Sequence, residues 1–319
     1  MTIGHGEDSA SSDVLRCVVV VEAVLLDIKD LVFFVPGGSG KSLAENNGRM
    51  GGAESVLIGR VSVLDTHARS RNINVGDRVA VCQRTSNADV PDELVGAAIA
   101  IAGTQLHPLP TQWPLKRAVA TASLAFASRA LRAGRFTAGD ICAVVGLSPA
   151  GLLAIQLLHE LGAVTVLGVD ADPARRGLAL AFGATDVMLP DVFATPASLN
   201  TVSTFDKVFF MSTGSDLLAA SIRAVGHLGI VVVAGSIAER DFVIADYYRE
   251  IIIKETAIIG VDRPARDDWA YAISRLEHSE MRMQEPLVII SVADQREGRL
   301  KELAASGIVF GPICVVGEC

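Results

Sequence analysis

From residue 141 onward, short apolar runs alternate with segments whose apolar positions have helical spacing. The runs at 141–145 and 164–169 have the length and composition of strands that are buried on both faces of a parallel sheet. Between them a helix is predicted to about Leu161, and Gly162 follows where helix C-termini often have glycine. The order strand, helix, strand predicts a βαβ unit.

The same alternation continues to about residue 261 and predicts an α/β fold with a doubly wound parallel sheet. Further strands are predicted at 186–189, 207–211, 230–233 and 257–261, and further helices at 173–182 and 216–227. Because such sheets bind ligands at the carboxyl ends of their strands, the residues that follow each strand are candidates for a binding site.

The two ends of the chain have a different pattern, in which short apolar runs are broken by glycines. Strands are predicted at 17–21, 31–35, 55–64 and 79–81, which indicates a β-rich domain, and a helix over 115–133 is expected to connect it to the parallel sheet. The C-terminal part is expected to fold back on this first domain, with helices predicted at 263–278 and 295–305 and strands at 287–292 and 313–316.

Composition narrows the class of protein. The chain has 319 residues, half of them hydrophobic, and a net charge of −8. No basic cluster is present, which argues against nucleic acid and anionic membranes as partners. Five scattered cysteines fit a reducing compartment. Residues 1–13 contain acids and no apolar core, so a frayed tail is expected there, with no secretory signal and a cytoplasmic location.

The turn after the first strand of the βαβ unit carries candidate chemistry. Gly146, Ser148, Pro149 and Gly151 force a tight turn that lets the backbone pass close to a pyrophosphate, beside the positive end of a helix dipole. Asp170 ends the next strand, where a carboxylate accepts hydrogen bonds from the adenine ribose and repels a 2′-phosphate. The pattern predicts NAD binding; the alternative is a buried βαβ unit that binds nothing.

Ser148 departs from the usual fingerprint, which has glycine at this position. Its side chain either crowds the pyrophosphate or bonds a phosphate oxygen through its hydroxyl. The other predicted cofactor-binding residues lie in the first helical turn, after Asp170, or after the later strands: Ala150, Arg175, Ser212, Thr213, Gly235 and Ser236. For Thr213 and Ser236, ordinary turn chemistry is the alternative.

A second glycine-rich segment, residues 35–42, resembles the phosphate-binding loop G-x-x-x-x-G-K-S. Val35 stands where the first glycine is required, and the glycine-broken segment that follows does not predict the long helix of such loops. An exposed flexible loop is the better interpretation. A phosphotransferase stays as an alternative that ATP binding would test.

The whole pattern resembles the medium-chain dehydrogenase/reductase family, the relatives of zinc alcohol and polyol dehydrogenases. The resemblance is strongest in V-G-D-R-V-A-V at 75–81, in the cofactor unit through 183–186, and in Ser212-Thr213-Gly214. It implies a chaperonin-10-like β-rich catalytic domain interrupted by a Rossmann domain, with the active site in the cleft between them. It also implies a homodimer joined along the sheet edge near 257–261.

On this basis we predict four segments along the chain. They are a disordered tail at 1–13, the first part of the β-rich catalytic domain at 14–120, the Rossmann dinucleotide-binding domain at 121–262, and a return to the catalytic domain at 263–319.

The sequence departs from the zinc-dependent members of the family. Residues 22–30 lack their cysteine ligand, Gly52-Ala53-Glu54 replaces their G-H-E segment, and Thr121 is the best match to their glutamate on the linking helix. No metal site is therefore predicted. Protein groups must then polarise the reacting oxygen, and the candidates are Asp27, Lys29, Glu54 and His67, with solvated surface charge as the alternative for each.

The prediction is a zinc-independent, NAD(H)-dependent oxidoreductase that acts on a small alcohol, ketone or related metabolite. Two alternatives share the fold. One is an enzyme that uses NAD transiently, for an elimination, epimerisation or cyclisation without net redox change. The other is a non-catalytic nucleotide-binding relative.

Overall fold

The computed structural model describes residues 17–26, 54–64, 69, 72–84, 98–101, 105–195, 204–212, 214–234, 244, 246–278, 281, 288–291 and 313–316. The predicted tail at 1–13, strand at 31–35 and helix at 295–305 lie outside the described residues, as does the glycine-rich segment at 35–42.

The described residues form two sheets and the helices around them. The strands are β1 (Cys17–Leu26), β2 (Glu54–Val63), β3 (Arg78–Arg84), β4 (Ala98–Ile101), β5 (His107–Leu109), β6 (Ile141–Val145), β7 (Thr165–Val169), β8 (Asp186–Met188), β9 (Phe205–Phe210), β10 (Val225–Val233), β11 (Ala257–Gly260), β12 (Val288–Ser291) and β13 (Ile313–Val316). The helices are α1 (Leu115–Ala133), α2 (Pro149–Glu160), α3 (Pro173–Ala181), α4 (Pro190–Ala194), α5 (Ser215–Ala224) and α6 (Arg266–His278), with a π-helical segment at Tyr248–Ile253.

The first sheet joins the two ends of the described chain. Its order is β12-β13-β1-β2-β3-β5, and β4 pairs with β1. Strand β13 runs antiparallel to β1, with Ala23 opposite Val316, and parallel to β12. The C-terminal strands therefore complete the sheet that the N-terminal strands begin, although the domain boundaries drawn from the sequence stay a prediction.

The second sheet is parallel throughout, in the order β11-β10-β9-β6-β7-β8. From β6 the chain moves to β7 and β8 on one side and then returns to β9 on the other side. This reversal creates a crevice at the carboxyl ends of β6 and β9, which are paired at Val145 and Phe210. The predicted α/β fold, with a Rossmann doubly wound sheet and a separate β-rich sheet, is confirmed.

Helix α1 connects the sheets and lies against α2 and α6. It follows Pro114 and ends at Gly134, and its alanine-rich buried face includes Ala118 and Ala125, both fully buried. Arg117 donates to the carbonyl of Leu276 on α6. One continuous apolar cluster includes Ile58 in the first sheet, Val144 in the second, and buried residues of α1 and α6. The two sheets and these helices therefore share a packed core.

The predicted boundary between α5 and β10 is wrong. The helix predicted at 216–227 ends at Ala224, and Val225 already belongs to β10, opposite Phe205. Leu228 has a φ of +59°, and the pairing of β10 with β9 shifts register between Val225 and Ile230. The helical spacing of 225–227 is overridden because sheet pairing places these residues in the ladder.

In the part of the chain that the structure describes, no helix combines the length and the apolar character that a membrane crossing requires.

Candidate cofactor site

The turn between β6 and α2 lies at the crevice where the sheet order reverses. Gly146 has a φ of +97°, and a Cβ built there would lie 2.6 Å from the carbonyl oxygen of Met211, just after β9. The Gly146 N–H donates to the Val169 carbonyl at the end of β7, at 2.8 Å. Only glycine satisfies both the conformation and the close approach, so the turn is held between the ends of β7 and β9.

Gly151 brings helix α2 directly against this turn. A Cβ at Gly151 would overlap the carbonyl oxygen of Gly146, and Val144 lies 3.6 Å from the same position. The first turn of α2 therefore sits above the end of β6, with its N–H groups at the crevice. The first and third glycines of the predicted fingerprint have the geometric roles that the dinucleotide-binding unit requires.

Ser148 is the N-cap of α2. Its Oγ accepts a hydrogen bond from the Gly151 N–H at 3.3 Å, and its carbonyl accepts from the Leu152 N–H at 2.8 Å. Pro149 follows at the first helical position, where its missing N–H costs nothing. From the sequence, only contacts of this hydroxyl with the cofactor were predicted. The cap was not predicted, although serine before a helix-starting proline is a signal for one.

Replacement of Ser148 separates the two roles. Ser148→Ala is expected to lower the free energy of unfolding by about 1 kcal/mol, and Ser148→Gly by only roughly a few tenths, since glycine is a tolerated N-cap. NAD affinity in Ser148→Gly is expected to stay unchanged or to increase, because the hydroxyl caps the Gly151 N–H and does not contact the cofactor. Urea unfolding and titration calorimetry measure the two quantities. A large loss of affinity in Ser148→Gly would instead show that the hydroxyl contacts the cofactor.

Asp170 ties the end of β7 to the glycine turn. Its Oδ2 accepts from the Leu147 N–H at 2.8 Å, and its Oδ1 accepts from the Asp172 N–H at 2.9 Å. Its side chain is 12% exposed. A carboxylate has about four lone-pair sites, so each oxygen keeps capacity for a further donor. The group is oriented and still able to accept hydrogen bonds from a ribose diol.

Two arginines from α3 approach the same strand end. Arg175 Nη1 lies 3.6 Å from Asp170 Oδ2, and Arg175 Nε lies 3.6 Å from Asp172 Oδ2. Arg176 Nη1 donates to the carbonyls of Asp170 and Ala171, at 2.7 and 2.9 Å. We name Asp170, Asp172, Arg175 and Arg176 the strand-tip cluster. Of this cluster, only Asp170 and Arg175 were predicted from the sequence; the run D-x-D-P-x-R-R is the signal that would have identified the others.

The other predicted cofactor residues are only partly described. Pro149 and Ala150 form the first turn of α2, and Ser212 follows β9, as expected for a rim at the carboxyl ends of the strands. Gly214, with a φ of +105°, precedes α5. Three predicted residues lie outside the described part of the chain: Thr213, Gly235 and Ser236.

The predicted catalytic residues are mostly beyond the described part of the chain. Asp27, Lys29 and His67 lie outside it. Glu54 begins β2, opposite Arg84 in the register with β3. Thr121, the match to the family's glutamate, is fully buried, and its hydroxyl donates to the carbonyl of residue 117 within α1. Thr121 therefore has a structural role in the helix.

Two further polar groups near the core also have structural explanations. His107 stacks on Trp269 with a distance of 4.5 Å between ring centroids. Cys142 is the second residue of β6, where burial raises the pKa of its thiol, and the charges of Asp140 and Asp206 raise it further. Since the thiolate is the nucleophile, Cys142 is unreactive in the native fold.

The residues of the described segments do not fit a zinc centre. Among them, no group of three or more His, Cys, Asp or Glu side chains has an arrangement that could hold a metal ion. Residues 27–30 and 52–53, which match the ligand segments of zinc-dependent relatives, are not described. The absence of a metal site thus stays a prediction from the sequence.

The chain is similar to known dehydrogenases. A zinc-binding dehydrogenase family profile matches residues 149–278. The (R,R)-butanediol dehydrogenase of Bacillus subtilis is 27% identical over 218 residues, which cover 62% of this chain and 62% of that protein. Over these residues the chain is similar to zinc-binding dehydrogenases.

Solved structures show the fold of this family over nearly the whole chain. The alcohol dehydrogenase TADH from Thermus sp. ATN1 has a TM-score of 0.72 at 17% identity and covers 99% of this chain and 98% of that one. A zinc-binding dehydrogenase of Sinorhizobium meliloti bound to NADP has a TM-score of 0.69 at 19% identity, covering 95% and 92%. The fold shared with these dehydrogenases therefore includes the β-rich sheet as well as the parallel one.

Proposed function

We propose that the protein is an NAD(H)-dependent oxidoreductase that acts on a small alcohol, ketone or related polar metabolite. One observation carries the proposal: the glycine turn between β6 and α2 is tied to the Asp170 carboxylate at the end of β7. The named relative, a butanediol dehydrogenase, supports an alcohol or ketone as the substrate class. Since the alignment covers less than two thirds of that relative, the activity of the whole protein is part of the proposal.

The residues of the turn bind and orient the cofactor. The first turn of α2, at the positive end of the helix dipole, would lie beside the pyrophosphate, and Ser148 keeps that turn in place by capping the Gly151 N–H. Asp170 accepts from the adenosine ribose with the lone pairs that its backbone partners leave free. The bound nicotinamide supplies hydride chemistry.

Proton handling at the substrate is assigned to the β-rich domain. We propose that one of Asp27, Lys29, Glu54 or His67 polarises the reacting oxygen and donates or accepts its proton, without a metal ion. The sequence departures at residues 22–30 and 52–54 support this proposal. Metal analysis of the purified protein tests it, and stoichiometric zinc would overturn the metal-free mechanism while leaving the cofactor site in place.

The cofactor is proposed to be NAD because a carboxylate at the strand end repels a 2′-phosphate. The Sinorhizobium relative with NADP shows that the fold also accommodates the phosphorylated cofactor. Native mass spectrometry of the purified protein, followed by calorimetric titration with NAD and NADP, tests the proposal. We expect NAD to bind more tightly than NADP, and a protein that binds neither dinucleotide would overturn the proposed function.

We further propose a homodimer formed along the edge of β11, in agreement with the resemblance. Apolar side chains are exposed there: Ile252, Ile253 and Ile258 are 49%, 57% and 41% exposed, and Tyr248 precedes them. Strand β11 pairs with β10 on one side, and its other side is the end of the described sheet. A second copy would cover both the strand edge and the apolar patch.

Substitution at this edge tests the dimer. Ile258→Lys is expected to convert dimers to monomers in sedimentation velocity experiments, since lysine on an edge strand opposes pairing. Val75→Lys is the matched control, because Val75 is 63% exposed in the turn before β3. A wild-type protein that sediments as a monomer would contradict the proposal.

A further inference from the structure

We infer that α1 and α6 form a rigid joint, which holds the β-rich sheet and the parallel sheet at one angle whether or not a ligand occupies the crevice. The chain passes from the first sheet to the second through α1, and α6 follows β11 of the second sheet and precedes β12 of the first. The two helices pack against each other. The inference concerns the mechanics of the fold and does not rest on the proposed function.

An ion pair ties the last turn of α1 to the first turn of α6. Asp268 is 1% exposed, and its Oδ2 accepts from Arg132 Nη2 at 2.8 Å and from the Ala265 N–H at 2.6 Å. Arg132 Nη1 also lies 3.8 Å from Asp267 Oδ2. Because a buried carboxylate is costly to leave without its cation, this contact resists separation of the two helix ends.

A second arginine ties the first turn of α1 to the last turn of α6, so the two helices are antiparallel. Arg117 donates to the carbonyl of Leu276, and its guanidinium lies 5.1 Å from the ring centroid of Trp113. The carbonyl of Trp113 accepts from Arg78 Nη1 on β3 at 2.8 Å. This end of the helix pair is therefore attached to the first sheet.

The helix pair contacts both sheets through buried rings as well. Trp269 in the first turn of α6 stacks on His107 of β5, with 14° between the ring planes. After α1, Gly134 packs so closely on the second sheet that a Cβ there would lie 2.9 Å from the side chains of Phe209 and Val232. Since the sheets and the helices share one close-packed cluster, a change in the angle between the sheets would have to open that packing.

Arg132→Gln tests the joint without any ligand. The variant removes the cation but leaves the Asp268 carboxylate to cap α6 through the Ala265 N–H. We expect amide hydrogen exchange, measured by mass spectrometry, to become about tenfold faster both in 130–134 and in 266–270. Loss of a helix cap alone would affect only the second of these segments.

Two further variants complete this experiment. Arg129→Gln is the matched control, because Arg129 lies one turn earlier on α1 and has no ion pair among the described residues; its exchange should equal that of the wild type. Asp268→Asn keeps the cap, since asparagine is as good an N-cap as aspartate, and leaves no buried charge if Arg132→Gln fails to fold. It should show the same faster exchange at both helix ends.

Wild-type protein with and without saturating NAD tests the fixed angle. Small-angle X-ray scattering from a single oligomeric species should give the same radius of gyration in both samples, and exchange in α1 and α6 should not change. A smaller radius of gyration with NAD, or wild-type exchange in both Arg132→Gln and Asp268→Asn, would overturn the rigid joint. If calorimetry shows that NAD does not bind, the proposed function fails, and the variants without ligand still decide whether the joint exists.

Discussion

Asp170→Asn is expected to lower the affinity for NAD by about ten- to a hundredfold. Hydrogen bonds to a charged acceptor contribute about 1.5–3 kcal/mol, and each 1.4 kcal/mol is tenfold in affinity. The variant loses the charge and half of the acceptor capacity of the group. It also weakens the tie to the Leu147 N–H that holds the glycine turn at the end of β7. Titration calorimetry with NAD measures the change.

The effect on NADP separates a specific role of Asp170 from general damage. NADP affinity should fall less than NAD affinity, because the charge that repels a 2′-phosphate is also removed. Asp186→Asn serves as the matched control. Asp186 is the exposed first residue of β8, opposite Leu167 in the register with β7, and only its neighbour Val187 donates to it among the described contacts. Equal losses of both cofactors in Asp170→Asn would contradict direct recognition of the ribose.

Gly151→Ala is the second substitution with a large expected effect. The added methyl group would overlap the Gly146 carbonyl oxygen, which is backbone and cannot rotate away. Helix α2 must therefore move from the end of β6, at a cost of about 1–3 kcal/mol or more in the free energy of unfolding. We expect NAD binding to be lost or strongly weakened in the same variant, since the first-turn N–H groups move with the helix.

The neighbouring helix provides the control for this substitution. Gly177 lies exposed in α3, and a Cβ at Gly177 has no neighbour within 4 Å. Gly177→Ala should raise the free energy of unfolding by about 0.5–1 kcal/mol, because alanine favours the helix. Urea unfolding followed by circular dichroism compares the two variants. If Gly151→Ala were as stable as the wild type, the close approach of α2 to the turn would be refuted.

The apolar pattern predicted the centre of the parallel sheet well because β6, β7 and β9 are mostly buried. Strand β6 and helix α1 have the predicted bounds, since a continuous apolar run and a terminal glycine mark them locally. The end of α5 was predicted wrongly because pairing with β9, a contact distant in sequence, decides where β10 begins. The π-helical segment at Tyr248–Ile253 was not predicted, as its run of three isoleucines has no helical spacing.

The candidate site was predictable only where backbone geometry dictates the residue type. Gly146, Gly151 and Asp170 could be identified because their roles depend on the order strand, turn, helix, strand. The cap at Ser148 and the carbonyl contacts of Arg176 depend on the side-chain conformations in the folded protein. The spacing of residues in the sequence does not determine these conformations. The catalytic assignments to Asp27, Lys29 and Glu54 rest on the resemblance and stay predictions.

The pairing of β1 with β13 has a consequence for biosynthesis. These strands come from opposite ends of the described chain, so β1 lacks this neighbour during synthesis until residues 313–316 have emerged from the ribosome. The parallel sheet, whose strands all lie between them, can assemble earlier as a unit. Contacts between residues so distant in sequence slow folding, and the unpaired edge of β1 stays exposed meanwhile. During synthesis, chaperones should therefore bind the β-rich part of the nascent protein more than the part that forms the parallel sheet.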